Sequence, residues 1–245
     1  MPGYNFRTSR LFVDAPLRAA ATVGLGRAQA HYLTNVLRLK AGDGILIFNG
    51  RDGEWSATIE GGKHATLRVG LPTRPQTNAA DLHYLFAPPK SARLDYVVQK
   101  AVELGVSRLQ PVITRHGQVA RINLERMRGN SIEAAQQCGI LSLPDIGIPI
   151  ALPRLIAERD PARWLVFCDE DAEVANPAAA LELIAPGSPL AVLIGAEGGF
   201  AKDERTLLLR QRNVVRLALG PRILRADTAA VAALALVQTM LGDWR

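Results

Sequence analysis

Two stretches near the end of the chain, LIGAEGGFAKDE at residues 193–204 and LALGPRILRADTAA at residues 217–230, have the same layout. Each places an apolar run before a glycine turn, and the turn before a segment of helical character. This succession is typical of an open α/β sheet, in which ligands bind beyond the carboxyl ends of the strands. Glycine lets the backbone approach a ligand closely, so both turns are candidate ligand sites.

The same alternation of strand-like and helix-like segments begins near Asp81 and continues to the end of the chain. SARLDYVVQKAVELGV, for example, places its apolar residues on one helical face, with Ser91 as the expected N-cap. Strands that alternate with helices indicate a mostly parallel sheet covered on both faces. We therefore expect an α/β fold for this part of the chain.

The front of the chain has a different pattern. Polar and apolar residues alternate between short turn signals such as Asn49-Gly50 and Asp52-Gly53, which predicts a small β-barrel. The segment 71–81 contains two prolines and few apolar residues, so it is expected to be a linker. The predicted division is a barrel at residues 1–72 and an α/β domain at residues 73–245.

The composition of the chain limits the classes of binding partner that we expect. The formal charge of +6 comes from 29 basic and 23 acidic side chains, which favours a polyanionic partner such as nucleic acid without requiring one. No run reaches the roughly eighteen apolar residues of a membrane span, and the start lacks a signal pattern, so a cytoplasmic protein without a membrane partner is expected. Cys138 and Cys168 lack the spacing of a metal site, and no metal is predicted.

The charge of the first glycine turn bears on its ligand. Glu197 lies among the glycines, where a carboxylate would repel a phosphate but would suit a cation. The chain also lacks the glycine patterns of dinucleotide-binding folds and of P-loops. S-adenosylmethionine, which carries a sulfonium and an ammonium group, fits the turn better than a phosphate.

Several segments together resemble one family. IGAEGGF, LALGPRILRADTAA, RLDYVVQKAVELGV, SIEAAQQC and, near the front, HYLTNVLRLKAGD are similar in sequence and in order to the RsmE-type 16S ribosomal RNA uridine-N3 methyltransferases. These enzymes belong to the SPOUT class. The resemblance implies a small N-terminal PUA-like RNA-binding barrel, a C-terminal α/β domain with a trefoil knot, and a homodimer. It also implies S-adenosylmethionine as cofactor and 16S rRNA or the small ribosomal subunit as partner.

In such a knot the two glycine turns form walls of the cofactor pocket. The resemblance therefore assigns cofactor binding to Ile194, Gly195, Glu197, Gly198, Gly199, Leu219, Gly220, Ile223, Leu224, Arg225 and Thr228. The chain departs from the family's usual pattern at three positions: Ala196 replaces a proline, Asp227 replaces a glutamate, and Gly139 replaces an arginine.

The reaction at uracil N3 defines the catalytic candidates. N3 carries a proton, so the site needs a base or donors that stabilise the deprotonated ring at O2 and O4. Arg225 is the candidate for stabilisation, and Glu197 and Asp227 are candidates for base or orienting group. The target uracil must be unpaired or flipped out of a helix, because N3 lies on its Watson–Crick edge.

Basic residues on both parts of the chain are candidates to bind RNA. They are Arg7, Arg10, His31, Arg38, Lys40, Arg51, Lys90, Arg93 and Lys100. Two other functions stay open: a ribose 2′-O methyltransferase of the same knotted class, and a non-enzymatic RNA-binding assembly factor that kept the fold.

Overall fold

A computed structural model describes residues 8–61, 65–117, 121–173 and 176–244. The chain forms two compact units. The first comprises Met1–Asn78 and Ile132–Leu143, and the second comprises Ala79–Ser131 and Pro144–Arg245. Arg7, one of the predicted RNA-binding residues, lies outside the described residues. The division between domains that the sequence predicts, after residue 72, stays a prediction.

The first unit is built on a five-stranded sheet. Its strands are β1 (Arg10–Phe12), β2 (Thr22–Gly24), β3 (Gly44–Phe48), β4 (Glu54–Glu60) and β5 (Thr66–Arg74), in the order β1-β3-β4-β5-β2. β1 pairs with β3 in parallel and the other pairs are antiparallel. Leu33, Ile47 and Leu67 are fully buried in its core.

Two expectations for this unit were wrong. Residues 71–74 are not linker but the end of β5, where Pro72 pairs with Trp55 across an irregular register that tolerates proline. The expected run of strands is also interrupted by helix α1 (Arg27–His31) and a π-helical turn over Tyr32–Val36. Leu33 anchors that turn, because it is fully buried among the strands.

The second unit contains seven strands and most of the helices. The elements are β6 (Leu82–Phe86), α2 (Ser91–Glu103), β7 (Arg108–Ile113), α3 (Leu124–Cys138), β8 (Asp145–Ile146), β9 (Ile150–Ala151), α4 (Leu152–Glu158), β10 (Trp164–Cys168), α5 (Pro177–Leu181), β11 (Leu190–Ile194), α6 (Lys202–Leu209), β12 (Val214–Leu217) and α7 (Ala226–Leu241). The last seven residues of α3 group with the first unit.

The sheet of this unit is parallel, with the order β12-β10-β11-β6-β7-β8, and β9 pairs with β7. All five residues of β11 are buried, as expected for a strand covered on both faces. One face packs against α2 and α7, and the other packs against α4 and α6. The prediction of a parallel α/β sheet is confirmed. α7 follows the edge strand β12 yet packs against α2 and β11, as a chain that folds back over its own sheet must.

None of the described helices is long and apolar enough to cross a membrane.

Candidate active site

The site lies beyond three neighbouring strands. β10 lies between β11 and β12, and Cys168, its last residue, pairs with Ile194 on one side and Leu217 on the other. The loops that follow these strands enclose a cavity of about 370 Å³. The predicted glycine turns are therefore not adjacent, because a third loop separates them.

Most of the predicted cofactor residues line this cavity. Those in its wall are Ile194, Gly195, Glu197, Gly198, Gly199, Leu219, Gly220, Ile223 and Leu224. Arg225 and Thr228, although predicted, are not among the lining residues. Asp169, Glu170 and Arg222 line it although the sequence analysis did not select them.

The loop after β11 is firmly held. Phe200 is 4% exposed and packs edge-on against Phe167, with ring centroids 4.9 Å apart. Glu204 accepts hydrogen bonds from the backbone N–H of Ala201 at 3.0 Å and from that of Arg115 at 2.8 Å. The first of these bonds is half of a capping box and fixes the entry into α6.

Glycine is required at 199 for two reasons. Its φ is +66°, a conformation that side chains with a Cβ rarely adopt. A Cβ there would also lie 1.9 Å from a carboxylate oxygen of Glu170. The loops after β11 and β10 therefore meet at Gly199, where a side chain would displace the Glu170 carboxylate.

Glu197 keeps its carboxylate at the cavity wall. Its Oε1 accepts a hydrogen bond from Arg93 of α2 at 3.0 Å, and both side chains are about two-fifths exposed, at 43% and 39%. Two residues predicted for different roles, a cofactor or catalytic group and an RNA-binding group, thus form one ion pair. Such partly exposed pairs contribute little to stability, about 0–1 kcal/mol.

The loop after β12 is more open. Gly220 has a φ of +98°, and Ile223 is 89% exposed. Arg222 is exposed in the cavity wall and has no ion-pair partner among the described residues. Arg225 is also exposed, but it precedes the first turn of α7 as the N-cap residue and lies outside the wall.

Asp227 belongs to the first turn of α7, where its Oδ1 accepts a hydrogen bond from the backbone N–H of Thr228 at 3.0 Å. A carboxylate in this position stabilises a helix N-terminus. The contact supports a helix-stabilising role for Asp227, and its side chain is not part of the cavity wall.

The third loop, after β10, carries three consecutive carboxylates from Asp169 to Asp171. Asp169 is buried, and its two oxygens accept hydrogen bonds from Arg205 at 3.1 Å and Arg216 at 2.6 Å. The signal in the sequence was the acidic run directly after the apolar strand WLVFC. Burial raises the pKa of the Cys168 thiol to about 12, so the thiol stays protonated at neutral pH.

The predicted RNA-binding residues divide into two groups. Arg10 is buried and donates to Glu54 at 2.8 Å, so the expectation that it contacts RNA was wrong. Burial raises the pKa of Glu54, but hydrogen bonds from Arg74 and Arg10 outweigh it and hold that pKa below its usual value. In the other group, His31, Arg38, Lys40, Arg51 and Lys90 are exposed, and Arg93 and Lys100 are half-buried.

In the parts of the chain that the structure covers, no group of three or more His, Cys, Asp or Glu side chains is placed to hold a metal ion.

Comparisons with known proteins agree with this geometry. Residues 76–238 match the model of an RNA methyltransferase domain, and residues 25–70 match that of an RNA methyltransferase PUA domain. The ribosomal RNA small subunit methyltransferase E of Rickettsia conorii is 30% identical over 95% of this chain and 96% of its own. Its namesake from Synechocystis is 30% identical over 95% of this chain and 78% of its own.

Solved structures agree as well. A ribosomal RNA small subunit methyltransferase E from Neisseria gonorrhoeae, bound to S-adenosylmethionine, matches with a TM-score of 0.85 at 26% identity, covering 98% of this chain and 100% of its own. A methyltransferase from Legionella pneumophila with the same bound cofactor matches with a TM-score of 0.78 at 28% identity, covering 95% of this chain and 98% of its own. The expected SPOUT fold with a PUA-like front is thereby confirmed. This chain belongs to the RNA methyltransferase family that includes the ribosomal RNA small subunit methyltransferases E.

Proposed function

We propose that this protein transfers a methyl group from S-adenosylmethionine to N3 of a uridine in 16S ribosomal RNA. The observation that carries the proposal is the cavity beyond β10, β11 and β12, built in a chain of the RNA methyltransferase family. The names of the relatives support ribosomal RNA as the substrate. The position of the methylated atom rests on the sequence resemblance.

The cavity fits the cofactor in size and charge. Its volume of about 370 Å³ lies in the range of small-molecule sites. Glycines leave the backbone of two walls accessible, and the carboxylates of Glu170 and Glu197 face a space that suits a cation. S-adenosylmethionine supplies an electrophilic methyl group on its sulfonium. The residues that we propose to hold it are the predicted ones in the wall together with Glu170.

Arg222 is our candidate for stabilising the uracil ring once its N3 proton is lost. The negative charge then spreads over O2 and O4, where a guanidinium can donate hydrogen bonds. Arg222 lies in the wall and has no ion-pair partner in the described part of the chain, whereas Arg225 lies outside the wall. A direct comparison of Arg222 and Arg225 variants distinguishes the two candidates.

Glu197 is the better candidate for the proton acceptor. It lines the cavity, and its side chain is 43% exposed, so a substrate can approach the carboxylate. The carboxylate of Asp227 is engaged with the first turn of α7. We therefore propose that Asp227 supports the helix rather than the proton transfer.

Substrate binding would involve the exposed cations. We propose that His31, Arg38 and Lys40 of the first unit, and Lys90 of the second, contact the RNA backbone. Arg93 can join them through the N–H donors that Glu197 does not occupy. We also propose that the protein acts as a homodimer, as the resemblance implies, and that it lies in the cytoplasm, which a ribosomal RNA substrate favours.

Nucleoside mass spectrometry of 16S rRNA from a deletion strain tests the proposal. We expect 3-methyluridine to disappear and to return when the wild-type gene is supplied. If 3-methyluridine persists and a ribose methyl is lost, the protein is a ribose methyltransferase. If both persist and the purified protein does not bind S-adenosylmethionine, it is a non-enzymatic RNA-binding factor.

A further inference from the structure

One arginine holds all three carboxylates of the loop after β10. Arg205, on α6, donates to Asp169 at 3.1 Å and to Glu170 at 3.2 Å, and its Nη1 lies 2.8 Å from Asp171 Oδ2. Its side chain is only 17% exposed. The planar guanidinium can make these contacts at once because its donors point in several fixed directions. Arg205 thus ties α6, which follows the loop after β11, to the loop after β10.

The negative charges of the loop after β10 explain why an arginine is needed there. Three adjacent carboxylates repel one another, and the repulsion is strongest around Asp169, whose side chain is fully buried. Arg205 and Arg216 together balance two of the three charges. One net negative charge remains, shared by Glu170 and Asp171, whose side chains are 41% and 62% exposed. Of these two, only Glu170 lines the cavity.

The position of Glu170 is fixed from a second side. The Cβ that Gly199 lacks would lie 1.9 Å from Glu170 Oε1, the same oxygen that accepts from Arg205. That oxygen therefore rests directly over the backbone of the loop after β11. Arg205 itself does not line the cavity.

We infer that Arg205 is a positioning residue that holds the Glu170 carboxylate against the cavity so that it faces the positively charged end of the cofactor. The inference rests on the proposed function. Loss of Arg205 would release the loop and leave its carboxylates unbalanced, which would weaken cofactor binding. The turnover rate at saturating cofactor would change little, because Arg205 does not touch the reacting groups.

The test compares Arg205→Met and Arg205→Lys with a matched control, Arg210→Met. Arg210 is exposed at the end of the same helix and has no ion-pair partner in the described ranges. We expect Arg205→Met to raise the Kd for S-adenosylmethionine about tenfold by calorimetry, while kcat stays within about twofold. Arg205→Lys should restore part of the lost affinity, because a lysine keeps the charge but cannot donate to several carboxylates in fixed directions. Arg210→Met should bind as the wild type does.

A cofactor-free measurement separates this inference from the proposed function. The backbone N–H of Asp169 donates to Leu217 at 3.1 Å, and that of Ala172 donates to Asp169 at 3.2 Å. Hydrogen–deuterium exchange of residues 168–172 should therefore accelerate in Arg205→Met and not in Arg210→Met. Wild-type exchange or wild-type affinity in a folded Arg205→Met protein would overturn the positioning role. A wild-type protein that binds no cofactor, with accelerated exchange in Arg205→Met, would instead overturn the proposed function.

Discussion

The two walls that the sequence marks by glycine differ in how they are held. In the loop after β11, Phe200 is 4% exposed, Glu204 caps the next helix, and Glu170 rests on Gly199. In the loop after β12, Ile223 is 89% exposed, and Arg222 projects without an ion-pair partner among the described side chains. The loop after β11 is thus held by contacts within the protein. The loop after β12 exposes an apolar and a cationic side chain that a ligand can cover.

We therefore expect the first wall, the loop after β11, to bind the cofactor and the second wall, the loop after β12, to meet the substrate. A braced wall determines the shape of the cofactor site before binding, which lowers the entropic cost of association. An open wall with one exposed arginine, Arg222, is suited to an anionic substrate that arrives later. Changes in the first wall should therefore affect folding and cofactor affinity together. Changes of the exposed side chains in the second wall should affect the reaction more than the fold.

The largest effect is expected at Gly195. A Cβ there would lie 2.7 Å from the ring of Phe200, so Gly195→Val must displace a core side chain. We expect a loss of about 1–3 kcal/mol in the free energy of unfolding and no measurable binding of S-adenosylmethionine. Urea unfolding and calorimetry measure both. Gly24→Val is the control, because a Cβ at Gly24 has no atom within 4 Å. Wild-type affinity in Gly195→Val would mean that the braced wall is not part of the cofactor site.

The next largest effect is expected at Arg222. Arg222→Gln should lower kcat about a hundredfold, as loss of a donor to a developing negative charge does, with the KM for cofactor nearly unchanged. Arg225→Gln should lower kcat by less than about threefold, because this side chain lies outside the cavity wall. Steady-state methylation of 16S rRNA fragments or of small subunits measures both variants. A larger loss in Arg225→Gln would return the stabilising role to Arg225.

Gly220 and Gly187 form a matched pair for the open wall. Both have positive φ, at +98° and +80°, and a Cβ on either would have no atom within 4 Å. We expect Gly220→Ala and Gly187→Ala each to cost about 1 kcal/mol of unfolding free energy through backbone strain. Only Gly220→Ala should also weaken cofactor binding, severalfold, because Gly220 lines the cavity and Gly187 does not. Equal binding by both variants would remove Gly220 from the cofactor site.

The last prediction concerns pH and has the smallest effect on the cofactor site, because His83 lies in neither wall. Burial, followed by the nearby Arg163, lowers the pKa of His83 to about 4 from 6.5. Between these values the unfolded chain binds a proton that the folded protein does not, so stability falls as the pH falls from about 6.5 to 4. The slope contributed by His83 is at most about 1.4 kcal/mol per pH unit. His83→Gln should flatten it in urea unfolding at pH 7 and pH 5. A slope that persists in full would assign it to other groups.

Local patterns were sufficient to predict the α/β unit and most of its elements. The alternation of apolar runs and helical faces located β10, β11, β12 and α7, because each is set by burial within a short segment. The helical segment at Arg27–Val36 was missed because only Leu33 in its π-helical turn is buried, so its periodicity is weak.

The candidate site was predicted only in part. Glycine turns are visible in the sequence, but the neighbour of each strand is not, so the loop after β10 could not be placed between them. The exchange of Arg225 for Arg222 in the cavity wall has the same origin. Which of two nearby arginines faces a cavity depends on where α7 begins, and the structure places Arg225 at the N-cap. Arg10 was misassigned because its partner Glu54 is 44 residues away.

The position of β10 between β11 and β12 also sets the distance between those two strands. Neighbouring strands lie about 4.8 Å apart, so two strands that share a neighbour are about 9.6 Å apart. The loop that carries Asp169 and Glu170 leaves the sheet midway between those two strands and lines the same cavity as the two glycine loops. A ligand in contact with both glycine loops therefore lies next to an acidic segment.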